Sequence, residues 1–115
     1  MTNGLTQVVA GIDIKYVDNI PFVLLGLKPS GKWEFPGGKV ENNESHHEAM
    51  EREWIEELGV MVMINEERFG RARNGVYEIY FYEVEIVQDE YQDGEPTSQE
   101  HVDVKYFRLD ECGGI

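Results

Sequence analysis

Three glutamates, Glu53, Glu56 and Glu57, fall within little more than one turn of a predicted helix. Like charges four residues apart destabilise a helix by roughly 0.2–0.5 kcal/mol, and anions near its C-terminus cost about 0.3–1 kcal/mol more because they oppose the helix dipole. A hard divalent cation would offset this repulsion, since Mg²⁺ takes oxygen ligands and is commonly held by carboxylates together with substrate phosphates. The cluster is therefore a candidate metal site, although solvated helix faces can have the same composition.

The helix that carries these acids has recognisable ends. Ser45 and Glu48 have the spacing of a capping box, which predicts a start near Ser45. Gly59 is typical of the residue that follows a helix, so the end is predicted near Leu58. Three apolar residues, each four positions apart, form one stripe on the helical wheel: Met50, Trp54 and Leu58. The helix is therefore predicted to pack through one side and to present its acids on an adjacent one.

Most of the remaining chain is predicted to be strand. The apolar runs at residues 5–15 and 20–25, separated by turn residues, predict a hairpin. Further strands are predicted at residues 33–35, 60–64, 76–87 and 102–109. The strand at residues 76–87 is apolar on both faces in its middle, as expected of a strand covered on both sides. The polar stretch 68–75 and the acidic stretch 88–99 are predicted to be loops.

Composition limits the classes of function. A chain of 115 residues predicts a single domain over residues 1–115. Its net charge of −13 argues against binding a long nucleic acid or an anionic membrane. No run approaches the roughly 18–20 apolar residues that span a bilayer, and the N-terminus lacks the features of a signal peptide. With Cys112 as its single cysteine, the chain is expected to be cytoplasmic.

Residues 38–60 match a known long motif at every specified position. Those positions hold Gly38, Glu44, Arg52, Glu53, Trp54, Glu56, Glu57, Leu58, Gly59 and Val60. With this spacing the segment resembles the Nudix box, and Trp54 fills the slot for a bulky apolar residue. The preceding sequence WEFPGGKVE, residues 33–41, is similar to the MutT-like branch of that family. A motif of this length is far more specific than a short one.

The resemblance implies an α/β fold, in which a mixed sheet lies in an α/β/α sandwich. It also implies a Mg²⁺-dependent hydrolase that cleaves the diphosphate linkage of a nucleoside diphosphate joined to another group, with Mn²⁺ as a substitute metal. The C-terminal helix of MutT-like proteins is expected to be short or missing here, because only residues 110–115 follow the last predicted strand. A second subunit in a homodimer is our hypothesis for what closes the sheet face left open.

The family pattern also implies roles for individual residues. The metal ligands would be Gly38, Glu53, Glu56, Glu57 and Glu100. The catalytic group would be Arg52, Glu53, Glu57 and Glu100, in which Arg52 orients the carboxylates and Glu100 is a metal ligand or general base. Glu44 would support the loop or the outer metal shell, and the substrate contacts would be Lys28, Gly37 and Lys39. Glu100 is chosen because similar proteins carry an acid just ahead of the last strand, with Glu95 and Asp103 as alternatives.

The expected reaction is hydrolysis of a nucleoside triphosphate, including oxidised deoxynucleotides, to a nucleoside monophosphate and pyrophosphate. ADP-ribose, a nucleotide sugar and a dinucleoside polyphosphate are alternative substrates. The net negative charge argues against a capped RNA as the substrate. A nucleotide-binding module without turnover is a further alternative, disfavoured by the complete box. Trp33, Phe35 and Trp54 are interpreted as core residues. The three histidines, His46, His47 and His101, are interpreted as surface or incidental residues.

Overall fold

The structure is a computed structural model that describes residues 4–88, 96–97, 101 and 103–114, of which Arg68 and residues 112–114 are described for their backbone alone. The strands are β1 (Thr6–Val17), β2 (Ile20–Leu27), β3 (Trp33–Glu34), β4 (Gly37–Lys39), β5 (Val62–Asn74), β6 (Tyr77–Ile86) and β7 (Asp103–Arg108). The helices are α1 (His46–Leu58) and a short 3-10 helix at Leu109–Gly114. Glu95 and Glu100 lie outside the described residues.

The strands form one mixed sheet in the order β3-β2-β1-β6-β5, with β4 also paired to β1 and β7 to β2. β1 and β6 run parallel, and the other pairs are antiparallel. Parallel neighbours need a long crossover, and the chain between β1 and β6 includes α1, which packs against β1, β4 and β5. The mixed sheet that the family resemblance implies is confirmed.

The local signals in the sequence correspond to the observed turns and caps. Asp18 and Asn19 both have positive φ angles, 53° and 65°, and join β1 to β2, as required by the tight turn of a two-residue hairpin. The Ser45 hydroxyl accepts the Glu48 backbone N–H at 3.1 Å, while the Glu48 carboxylate accepts the Ser45 N–H at 2.9 Å. Gly59 ends α1 with a φ of 68°. The predicted hairpin, capping box and helix end are confirmed.

The prediction of a polar loop at residues 68–75 is wrong, because β5 continues to Asn74. Its pairing with β6 shifts register between Ile64 and Arg68 and again between Arg68 and Gly70. Such bulges let a strand continue past residues that interrupt the alternating pattern. The extended β5 is therefore supported by backbone pairing with β6, an interaction that is not visible in its own polar sequence.

Apolar side chains pack on both faces of the sheet. Beneath α1 lies a cluster whose fully buried members include Val9, Leu24, Met50, Trp54 and Leu58. The opposite face buries Ile12, Val23 and Leu25 and carries the half-buried Trp33, Phe35, Phe81 and Phe107. Trp54 is thus confirmed as a core residue, whereas Trp33 and Phe35 are half-buried.

Only one face of the sheet has an α-helix on it within the described ranges. The 3-10 helix at Leu109–Gly114 contacts β2 and β7. Ile79 and Phe81 of β6 are accordingly half-buried, not fully covered as the sequence pattern predicts. The homodimer expected to close this face stays a prediction. None of the described helices has the length and apolarity needed to cross a membrane.

Candidate active site

The turn that contains β4 lies directly against the acidic side of α1. The backbone N–H of Gly37 donates to the Glu57 carboxylate at 3.1 Å. Glu57 is only 7% exposed, although its side chain ends in a carboxyl group. A buried carboxylate requires hydrogen bonds or a cation to offset the loss of hydration, so this side chain is held at a specific place beside the turn.

Gly38 brings the backbone close to a second acid. A Cβ atom added to Gly38 would lie 2.4–2.6 Å from the carboxyl group of Glu53. At Gly37 an added Cβ would lie 1.9 Å from the Val9 carbonyl oxygen. Both positions therefore need glycine for close approach. The expectation that these glycines bring backbone to a metal stays a prediction.

Arg52 connects the acids to one another and to the turn. Its guanidinium donates to Glu44 at 2.7 and 3.0 Å, to Glu53 at 2.8 Å and to the Lys39 carbonyl at 3.0 Å. It also lies 3.4 Å from the Glu56 carboxylate. The planar fork of arginine matches a carboxylate in a way that the point charge of lysine cannot. Arg52 therefore has contacts suited to orienting the carboxylates.

These contacts change the protonation equilibria. The hydrogen bonds from Arg52, followed by that from the Glu41 backbone N–H, lower the pKa of Glu44 to about 2. The same hydrogen bonds with Glu44 are the main cause that raises the pKa of Arg52 above its ordinary value. Both groups are therefore charged over the whole neutral range, and the orienting network is an ionic one.

The acidic face offers the oxygen ligands that a hard cation binds. The side chains of Glu53, Glu56 and Glu57 offer only carboxylate oxygens, which Mg²⁺ prefers. Glu53 is 13% exposed and Glu56 is 48% exposed, so the face runs from the buried turn to solvent. Within the part of the chain that is described, no three acids or histidines converge on a single metal position. The donors and the close approach at Gly38 fit a divalent cation.

Trp54 fixes α1 to the sheet behind this site. Its side chain is fully buried, and the indole N–H donates to the Pro36 carbonyl at 3.1 Å. That carbonyl also accepts the Gly11 backbone N–H at 2.8 Å. A Cβ at Gly11 would lie 2.6–2.8 Å from the indole, so the ring packs directly on the β1 backbone. Trp54 thus holds the helix, β1 and the turn before Gly37 in fixed positions relative to one another.

A cleft of about 310 Å³ opens beside the glycine turn, on the face of the sheet opposite α1. Its lining comprises Val8, Val9, Ala10, Glu34, Phe35, Gly37, Gly38, Ile79 and Phe81. The Phe35 and Phe81 rings meet edge to face, with centroids 6.1 Å apart. Apolar walls with a few polar groups are typical of pockets for small ligands, and Gly37 and Gly38 join this cleft to the acidic face.

The two lysines predicted to bind substrate have other partners. The Lys28 ammonium lies 3.6 Å from the Glu34 carboxylate at the cleft, and the Lys39 ammonium lies 5.7 Å from the Tyr77 ring centroid. The contact with Glu34 brings Lys28 to the cleft, and the Lys39 carbonyl is a partner of Arg52. Their contacts with substrate stay predictions.

Two histidines interpreted as surface or incidental residues have structural partners. His46 is half-buried, and its ring nitrogens lie 2.8 Å from the Tyr82 hydroxyl and 2.9 Å from the Gln7 side-chain oxygen. The His101 side chain is 4% exposed, with Nε2 2.8 Å from Glu34. Its contact with Glu34 crosses 67 positions of sequence, so no local pattern could have predicted it. The alternative acid Asp103 is exposed and accepts the N–H of its neighbour Val104.

Curated relatives share segments of this chain. Over 76 residues the chain is 37% identical to a putative 8-oxo-dGTP diphosphatase 2 of Mycobacterium tuberculosis, covering 63% of this chain and 50% of the relative. Over 49 residues it is 45% identical to the CTP pyrophosphohydrolase of Escherichia coli, covering 38% of this chain and 36% of the relative. The chain thus spans between about a third and a half of the length of these relatives.

Solved structures and a family model extend the comparison to most of the chain. A structure of MutT, described in a study of Aliivibrio salmonicida and Vibrio cholerae, superposes with a TM-score of 0.68 at 29% identity, covering 91% of this chain and 79% of that one. The model described as the NUDIX domain matches residues 21–113. The chain therefore belongs to the NUDIX domain family.

Proposed function

We propose that this protein hydrolyses nucleoside triphosphates, including oxidised deoxynucleotides, to a nucleoside monophosphate and pyrophosphate. Water attacks a phosphorus atom of the anhydride that links the α- and β-phosphates, and the P–O bond of that linkage breaks, so that the products are a nucleoside monophosphate and pyrophosphate. Such displacements depend on positioned groups and neutralised phosphate oxygens more than on a covalent nucleophile. The chain offers an acidic face that is held by hydrogen bonds and lies beside a cleft, which suits this requirement.

The observation that carries the proposal is the contact of the glycine turn with the acids of α1. Glu57 is buried and bonded to the Gly37 N–H at 3.1 Å, while the carboxylate of Glu53 lies against Gly38. A buried acid held by a hydrogen bond beside a backbone turn supports a chemical role for Glu57 more than a role in solubility. Because the same glycines line the cleft, a nucleotide base in the cleft would direct its phosphates toward these acids.

Members of this family generally use divalent metal ions, and we propose Mg²⁺ here, with Mn²⁺ as a substitute. The residues that would hold it are the Gly38 carbonyl, Glu53, Glu56, Glu57 and Glu100. When bound, the metal would neutralise phosphate oxygens in the transition state. Arg52 keeps the carboxylates of Glu53 and Glu44 in fixed orientations, and Glu100 is proposed as a further ligand or the general base.

We choose nucleoside triphosphates among the possible substrates because of the substrates named for the relatives. Their names describe a CTP pyrophosphohydrolase and a putative 8-oxo-dGTP diphosphatase. Both substrates are nucleoside triphosphates, whose charged tails suit a carboxylate site bridged by a cation. We carry this class over as a proposal, and the identity of the base is decided by the cleft.

An activity screen tests the proposal. The protein is incubated with Mg²⁺, Mn²⁺ or a chelator and with nucleoside triphosphates, oxidised deoxynucleotides, ADP-ribose, nucleotide sugars and dinucleoside polyphosphates. We expect metal-dependent release of pyrophosphate and monophosphate from at least one triphosphate. Release of orthophosphate and a diphosphate would contradict the proposed bond, and turnover of ADP-ribose alone would contradict the substrate class.

Two variants separate the acidic site from the rest of the helix. Glu57→Gln keeps the size of the side chain and removes its charge, so we expect activity to fall by at least about a hundredfold and Mn²⁺ affinity, measured by paramagnetic resonance, to fall with it. Glu51→Gln changes an exposed acid on the same helix and is expected to leave both unchanged. Nucleotide binding by calorimetry without any turnover would instead indicate a non-catalytic module.

A further inference from the structure

Glu34 stands at the cleft with a different partner on each carboxylate oxygen. Its Oε2 atom lies 2.8 Å from Nε2 of His101, and its Oε1 atom lies 3.6 Å from the Lys28 ammonium. Glu34 is also part of the cleft lining, next to Phe35. This carboxylate is therefore a charged group in the wall of a cleft whose other side chains are mainly apolar.

The two partners differ in how firmly they are held. The Lys28 side chain is 49% exposed, and exposed ion pairs of this kind contribute little to stability. The His101 side chain is 4% exposed. It also packs on Gly26 of β2, where an added Cβ would lie 2.6 Å from the imidazole ring. A ligand can therefore displace Lys28 from Oε1 easily, whereas His101 stays in place.

We propose that His101 is a positioning residue that holds the Glu34 carboxylate in the cleft wall, with Oε1 directed to accept an N–H group from the base of a bound nucleotide. The inference rests on the proposed function, because it assumes that the cleft receives a base. His101 itself does not contact the substrate in this arrangement. It acts through the hydrogen bond that Nε2–H donates to Oε2 of Glu34.

The chemistry of Glu34 then determines which bases fit. A carboxylate oxygen accepts hydrogen bonds and repels carbonyl oxygens, so it pairs best with an exocyclic amino group. The ring N–H groups of hypoxanthine and uracil lie beside carbonyl groups and therefore pair with it less well. A site built around such a polar group discriminates strongly against analogues that leave it without a partner. Bases that carry an exocyclic amino group at their pairing edge should therefore be preferred over otherwise similar bases that lack it.

Two pairs of nucleotides test this preference in the wild-type protein. GTP and ITP differ in one exocyclic amino group, and CTP and UTP exchange an amino group for a carbonyl. We expect the amino-bearing member to have a KM about tenfold lower in whichever pair is accepted, with similar kcat. Equal KM values in both pairs, or a preference for the carbonyl member, would overturn the proposal.

Variants of His101 test its positioning role. His101→Leu removes the donor and should raise KM for the preferred nucleotide about tenfold while changing kcat by less than about twofold. His101→Gln retains an N–H at similar reach and should restore most of the affinity. In a Glu34→Gln background, His101→Leu should add less than about a twofold change. Equal effects of Leu and Gln, or independent effects in the double variant, would overturn the role.

Gly26→Ala should disturb the contact between His101 and Glu34 without changing the histidine itself. Its Cβ would displace the imidazole ring, so we expect the same rise in KM as for His101→Leu. Gly70→Ala is the matched control, because an added Cβ there meets no atom within 4 Å. Thermal unfolding of each variant separates loss of fold from loss of recognition. A normal KM in folded Gly26→Ala would count against the proposal.

The proposed hydrolysis and this inference can fail separately. If the wild-type protein turns over none of the nucleotides, the hydrolysis proposal fails, and dissociation constants from calorimetry replace KM in every comparison above. In that case this inference still requires that amino-bearing nucleotides bind more tightly and that the His101 variants weaken their binding. Turnover without either of them would overturn this inference and leave the hydrolase proposal intact.

Discussion

Arg52 and Glu44 form a two-point ion pair, with Nε–Oε2 at 2.7 Å and Nη2–Oε1 at 3.0 Å. The remaining nitrogen, Nη1, donates to Glu53 at 2.8 Å. One guanidinium therefore relates a loop acid before α1 to an acid of the candidate metal site. The paired geometry makes Glu44 an anchor for Arg52, and Arg52 in turn an anchor for Glu53.

Replacement of Arg52 by lysine should reduce activity by about tenfold to a hundredfold. Lysine keeps the charge but offers no planar fork, so it cannot bond to Glu44 and Glu53 at once, and the metal-facing carboxylate loses its orientation. Steady-state kinetics with Mg²⁺ measures the change. Arg73→Lys, at an exposed position of β5, is the matched control. Wild-type kcat in Arg52→Lys would show that the fork is not needed.

The stability of the protein should fall between about pH 4.5 and pH 2 in a manner that depends on Glu44. Hydrogen bonds from Arg52 and from the Glu41 N–H lower its pKa from an ordinary 4.5 to about 2. The unfolded chain therefore takes up this proton first as pH falls, so the contribution to stability is fully present above about pH 4.5 and is lost toward pH 2.

Urea titrations between pH 7 and pH 2 measure this dependence. Glu44→Gln is expected to be less stable at neutral pH and to lose less of its remaining stability on acidification. Glu51→Gln changes an exposed acid of α1 and should keep the wild-type dependence. If Glu44→Gln and the wild-type protein lose stability in parallel down to pH 2, the ion pair does not contribute as described.

Gly38→Ala should impair metal binding with little effect on the fold. The added Cβ would lie 2.4–2.6 Å from the Glu53 carboxyl group, and that end of a flexible side chain can move aside. Moving it removes the carboxylate from the turn, so we expect activity and Mn²⁺ affinity to fall by about tenfold or more. Gly70→Ala, in open space, should change neither. Unchanged Mn²⁺ affinity in Gly38→Ala would contradict the role of this close approach.

Trp54→Phe should lower the free energy of unfolding by about 1–3 kcal/mol, because it removes buried ring volume and one hydrogen bond. The Pro36 carbonyl keeps the Gly11 N–H as a donor, so it is not left without a partner. Trp33→Phe alters a half-buried tryptophan and should cost less. Urea unfolding followed by circular dichroism compares the two. Equal losses would indicate that the indole bond to the turn carries no stability.

Local signals were sufficient for the hairpin and for α1. A turn of Asp18 and Asn19, a capping box and a terminal glycine each act over a few residues. Their effects can therefore be predicted from residues that are adjacent in the sequence. The same holds for the acidic cluster, because spacings of three and four residues place side chains on one side of any helix. The spacing of the Nudix box then indicated the family, whose domain model matches residues 21–113.

Contacts between distant residues were decided by the tertiary structure. The length of β5 depends on pairing with β6 through two bulges, and the place of His101 depends on Gly26 and Glu34, far from it in sequence. Such contacts form only when strands pair in a given register, and the sequence of either partner alone does not encode that register. The sequence by itself thus determined which residues form the acidic helix and its glycine turn. The fold decided that Glu57 is buried against Gly37, that Arg52 links Glu44 to Glu53, and that Glu34 faces the cleft, because each requires separate elements to pack together.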